Sequence, residues 1–126
     1  MRENIEIVGF QKNPYPFLNQ SKILLMPSSW EGFGLAAVEA LALGKPVVCS
    51  GVGGLPKIVD KECGAICNQY DSYVKNIMML LNNEEQLKRI SANAFRRANL
   101  LYNLNIYKNK LCKIYVEALD GVQSCS

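Results

Sequence analysis

Two carboxylates set in a glycine-rich stretch are the residues of this chain best suited to chemistry. Glu31 and Glu39 stand with seven residues between them in SSWEGFGLAAVEALALG, and six of the nine glycines (Gly32, Gly34, Gly44, Gly51, Gly53, Gly54) fall between Ser28 and Lys57. Glycine lets the backbone turn tightly and approach another group closely. The run LAAVEALAL reads as a helix that opens near Gly34, apolar on every face but that of Glu39, as in a helix packed on both sides. A buried carboxylate is costly unless it has a donor or a wet cleft, so Glu39 should have one. The free amides of Phe33, Gly34 and Leu35 would point from the helix N-terminus toward an anion. One carboxylate before that amide cluster and one a turn beyond it suit a ligand with both phosphates and hydroxyl pairs, as in a nucleotide sugar. A plainer reading stays open, in which Glu31 partners the helix dipole and Glu39 reaches solvent.

Other chemistry is narrowed by what the sequence lacks. There is no histidine, which removes Ser-His and Cys-His nucleophilic pairs. The cysteines, at 49, 63, 67, 112 and 125, are odd in number with no repeated spacing, and read as reduced thiols rather than as a zinc site. Neither metal nor cofactor is expected. Seven basic residues and no acidic ones lie between Lys88 and Lys113. Without a recognition motif or stacking aromatics this does not point to nucleic acid, and it reads as a solvated helical face. Weak contact with an anionic membrane surface is the alternative.

The elements that must position these residues follow from pattern. With 126 residues, 49% hydrophobic and 20% charged, the chain has the balance of one globular domain. Short β-type runs at 5–9, 22–27, 46–49 and 64–67 alternate with helical segments at 14–20, capped by Asn13, and at 35–43, ending at Gly44. That alternation predicts an α/β fold with a parallel sheet. Both glycine loops, SSWEGFG and SGVGGLP, then follow strands, at the carboxyl ends where open α/β sheets place ligands. Three further helices are predicted. The first is capped by Asp71, with Val74, Ile77, Met78 and Leu81 inward, and the second opens at Asn83 and carries Leu87, Ile90 and Ala94. The third starts near Leu104 with Tyr107, Leu111, Ile114, Tyr115 and Ala118 inward, and residues 120–126 are expected to fray.

The segment PSSWEGFGLAAVEALALGKPVVCSGVGG resembles the donor-site signature of glycosyltransferase family four, in the GT-B class, in which two glutamates are separated by seven residues. IEIVGFQKNPYPFLNQSKILLMPSS resembles the strand and helix before that signature, and GAICNQYDSYVKNIMMLLNN the strand and helix after it. The resemblance implies a partial Rossmann-like parallel sheet, the C-terminal half of a donor domain over residues 1–119, and a retaining transfer from a nucleoside-diphosphate sugar to a glycan or lipid-linked acceptor. It implies that Glu31 acts at the sugar as the catalytic-site carboxylate and that Glu39 holds the ribose. Gly32, Phe33, Gly34, Leu35, Gly53 and Gly54 would line the donor.

Two departures accompany the resemblance. Where the family pattern resembles GGxxE, this chain reads Gly53-Gly54-Leu55-Pro56-Lys57, and Lys57 is expected to face solvent. The chain also resembles only the last part of the donor domain, without the family's basic arginine and lysine that neutralise the leaving diphosphate. The expectation is therefore a truncated half-site, inactive alone and needing a partner chain for its N-terminal half. The alternative is a non-catalytic nucleotide-sugar-binding or interaction fragment. Without a signal-peptide pattern in MRENIEIVGF, a cytoplasmic location is expected, extending to the inner membrane face. The strand at 5–9 should be unpaired or join the open edge beside 23–26.

Overall fold

The computed structural model describes the backbone of residues 4–123 and the side chains of 4–119. Its elements run α1 (Tyr15–Gln20), β1 (Leu24–Met26), α2 (Leu35–Ala42), β2 (Val47–Ser50), α3 (Leu55–Ile58), β3 (Gly64–Cys67), α4 (Tyr70–Asn82), α5 (Glu84–Tyr102) and α6 (Leu104–Gln123). The sheet is parallel with order β1-β2-β3, pairing Leu24 with Val47 and Val47 with Gly64. The α/β class and the three consecutive parallel strands follow the sequence expectation.

Central position explains the composition of β2, whose four residues are all buried. Val47 and Cys49 join Ala37, Ala40 and Leu41 of α2, Leu55 and Ile58 of α3, and Ala94 and Ala98 of α5. Val48 points to the other face, with Cys67, Leu80 of α4 and Ile90 of α5. The period of two along the strand thus divides one core into two layers. Helix α2 stops where Gly44 takes φ +68°. Gly44 N–H donates to Leu41 O at 2.9 Å and Lys45 N–H to Ala40 O at 2.8 Å, the paired bonds of a Schellman end.

Several expectations are corrected. Residues 5–9 form no strand; Ile7 is 91% exposed and Gly9 turns the chain at φ +62°. Alternation prepares a strand, but a ladder needs a partner, and none among the described residues pairs with it. Asp71 does not cap α4, because the N-cap is Gln69 and Asp71 lies in the first turn. Helix α4 turns Tyr73, Ile77 and Leu80 toward the sheet, leaving Val74, Met78 and Leu81 exposed. The stretch is apolar over a wide arc and the sheet takes one side of it. Helix α6 starts at Leu104 as expected, yet its apolar residues through 119 are exposed. Its backbone is helical to Gln123, and 124–126 lie outside the described residues. Asn83 does cap α5, accepting Gln86 N–H at 2.9 Å. The N-cap of α1 is Pro14 rather than Asn13, although Asn13 Oδ1, one residue earlier, accepts Tyr15 N–H at 3.1 Å. No helix of the described residues is long and apolar enough to cross a membrane.

Candidate functional site

The site begins where β1 and β2 end. Parallel strands deliver both glycine loops to one edge of the sheet, and the loops are joined by their own backbones. Ser50, buried at the end of β2, donates its hydroxyl to Ser28 O at 2.6 Å. Gly54 N–H donates to Gly32 O at 2.8 Å.

That contact is close enough to dictate residue type. Gly53 sits at φ +56°, and a Cβ there would overlap the carbonyl of Glu31. A Cβ on Gly54 would lie 2.5 Å from Phe33 O. Glycine is therefore required by conformation and space at 53 and by space at 54. On the other side, Gly34 is the N-cap of α2 in the left-handed region at φ +90°, where a Cβ would meet Leu55 Cδ2 at 2.9 Å. Leu55 of α3 thus packs directly beneath the start of α2.

The carboxylates stand around this junction. Glu31 Oε1 accepts the N–H of Gly32 at 3.1 Å, so it is drawn toward the loop amides. Glu39, in the second turn of α2, accepts the hydroxyl of Tyr15 at 3.4 Å from α1. It is partly buried and has the donor that its position demanded. No side chain caps α2. Its outer face is open, with Leu35 65% exposed, which corrects the reading of a helix packed on both sides. The inward stripe of Ala37, Ala40 and Leu41, with Val38 beside it, carries its packing. Phe33 is exposed and meets the ring of Tyr102 edge-on, 6.1 Å between centroids.

The structure therefore brings Glu31, Gly32, Phe33, Gly34, Gly53 and Gly54 together, with Leu35 and Glu39 following along α2. Lys57 is exposed on α3. Three supporting residues escaped sequence reasoning. Ser50 and Tyr15 act across 22 and 24 residues of chain, and Arg97 reaches α3 from α5 across about 40. Ser50, the first residue of SGVGG, had a local signal in its position; the other two had none. The surface clefts beside Ile66, Met79 and Arg89 and beside Lys22, Lys45 and Lys88 lie away from these loops.

Among known proteins, residues 1–97 match the family model for glycosyl transferases group 1. The chain is 32% identical over 112 residues to an MMP alpha-(1->4)-mannosyltransferase from Mycolicibacterium hassiacum, covering 86% of this chain and 27% of that protein. The fold of the HepE protein of Anabaena, solved in complex with UDP and glucose, superposes with a TM-score of 0.76 at 22% identity, over 91% of this chain and 33% of that one. The C-terminal domain of a group 1 glycosyl transferase, LpcC of Francisella tularensis, superposes with a TM-score of 0.68 at 24% identity, over 79% of this chain and 53% of that domain. The chain thus spans about a quarter to a third of the two full-length relatives.

Proposed function

The chain belongs to the glycosyl transferases group 1 family, and from that premise we propose that its paired glycine loops are part of the donor site of a retaining family-four enzyme that uses a nucleoside-diphosphate sugar. Residues 1–119 are then the C-terminal part of the donor-binding domain. The amides of Gly32, Phe33 and Gly34 and the α2 N-terminus receive the diphosphate, where N–H groups and the helix dipole both favour negative charge. Glu39 accepts the ribose hydroxyls, Glu31 acts at the transferred sugar, and Gly53 and Gly54 let the second loop close under the first. The acceptor, a glycan or a lipid-linked molecule, binds to a portion outside this chain. A partner segment supplies the cations that stabilise the leaving diphosphate, and the basic helical stretch supports peripheral contact with an anionic membrane.

The observation that carries this reading is the Gly54 to Gly32 backbone bond, which joins the two loops beside the start of α2, with Glu31 just before that helix and Glu39 on it. It is supported by the HepE structure, which holds UDP and glucose in the same overall fold. The test is titration with UDP of the parent and of Glu39→Ala, with the N-terminal portion supplied on the same chain or as a partner. Loss of a charged hydrogen-bond acceptor should weaken binding by about 1.5–3 kcal/mol, or roughly 10- to 150-fold. Equal affinities would remove Glu39 from the site.

A further inference from the structure

Resting on the donor-site reading, we propose that Arg97 is a positioning residue for the donor loops, acting through α3 without touching the donor. Its guanidinium donates from Nε to Ile58 O at 3.2 Å and from Nη2 to Lys57 O at 3.0 Å. Its Nη1 pairs with Asp60 Oδ2 at 3.3 Å. The carbonyls that end a helix have no intrahelical partners, and a planar fork of donors can meet two of them while facing a carboxylate. Helix α3 has four residues, too few to hold itself. Arg97 fixes its far end to α5.

The near end of α3 is where the site begins. Gly54, its N-cap, is bonded to Gly32 O at 2.8 Å. Leu55 and Ile58 press beneath Gly34, within 2.9 and 3.3 Å of where its Cβ would stand. A shift of α3 therefore moves the backbone of both Gly32 and Gly34. At position 57, where the family pattern has a glutamate, this chain presents a lysine whose carbonyl, not its side chain, is the group engaged. Arg96, the adjacent residue, is exposed and serves as a control of equal charge.

Amide exchange and UDP titration, both followed by NMR on the chain with the N-terminal portion supplied as above, test the proposal in Arg97→Met, Arg97→Lys and Arg96→Met. In Arg97→Met the Gly54 amide should exchange about tenfold faster or more while Val48 and Cys49 of β2 keep their protection. UDP affinity should fall about tenfold, because the loop amides are no longer held in place. Arg97→Lys should recover part of both effects, and Arg96→Met should produce neither. Equal acceleration at Gly54 and in β2 would make Arg97 a support of the whole fold and overturn the proposal. Unchanged Gly54 exchange, or unchanged UDP affinity in Arg97→Met, would also overturn it. A parent whose Gly32 and Gly34 amides do not respond to UDP would instead count against the donor-site reading, and the Gly54 exchange would still decide whether Arg97 sets the loop.

Discussion

Leu41 of α2 and Leu111 of α6 both sit on apolar helical stripes, yet Leu41 is fully buried and Leu111 is 37% exposed. Ile114, one turn along, is 60% exposed. The body of the molecule, from β1 to the middle of α5, gives one stripe of each long helix a sheet face or another helix to cover it, although α4 keeps Val74, Met78 and Leu81 exposed. Among the described residues, helix α6 packs chiefly against α5. The two regions differ in partners rather than in periodicity. An apolar stripe is a statement that something covers it, and the covering group need not belong to the same stretch of chain. The same holds at β1, where Leu25 is 45% exposed on the edge of the sheet that no described strand joins.

The sharpest way to break the body is at its tightest contact. Gly53→Ala should be the most damaging single change, since it combines a left-handed backbone with overlap of the Glu31 carbonyl. A loss of more than about 3 kcal/mol, or separation of the loops with loss of UDP binding, is expected. Urea unfolding and UDP titration read the two outcomes, and a variant matching the parent in both would mean that the loops part freely. Next comes the contrast between the helices. Leu41→Ala should cost about 2–5 kcal/mol, as a cavity in a closed core. Leu111→Ala should stay within about 0.5 kcal/mol, as at a surface site. A cost at Leu111 that grows with protein concentration would instead reveal α6 covered by a second copy.

These contrasts also mark what the sequence could convey. The strands at 24–26, 47–50 and 64–67 were legible because short apolar runs are bounded by Pro and Gly, and α2 ends at Gly44 for the reason the glycine announces. The donor-like loops were legible because glycine density signals close approach, and the Gly53 contact bears this out as geometry. The inward face of α6 was misjudged, because pattern specified an apolar face and could not specify a partner. Residues 5–9 are unpaired, one of the two outcomes expected of them, and without a ladder they form no strand. The Tyr73 side of α4 was missed because an amphipathic tyrosine reads as surface while it packs at a rim. Helix α3 is too short for any periodicity, although Pro56 in its first turn was a visible start signal. Arg97 was legible only as a positive charge, since its carbonyl partners are about 40 residues away.

Cysteine tests both regions with one residue type. Burial pushes the thiol of Cys49 up to about 11, with Cys67 and Cys63 nearby adding to the rise. Burial likewise pushes Cys63 up to about 11, against the lowering effect of a hydrogen bond with the Asp60 backbone. In the unfolded chain a thiol ionises near about 8.5, so above that pH the unfolded state loses its proton first. The stability held by these neutral thiols is complete below that pH and is lost as pH rises through about 11. The melting temperature of the parent should fall across that window, and Cys49→Ala with Cys63→Ala should flatten part of the fall. An identical alkaline slope in the double variant would assign the loss to other groups. In a Cys125→Ser background at neutral pH, a maleimide should label exposed Cys112 on α6 rapidly and reach buried Cys49, Cys63 and Cys67 only through opening of the body. Labelling of all four at one rate would mean that the body opens as readily as α6 stands open, and the contrast between the two regions would fail.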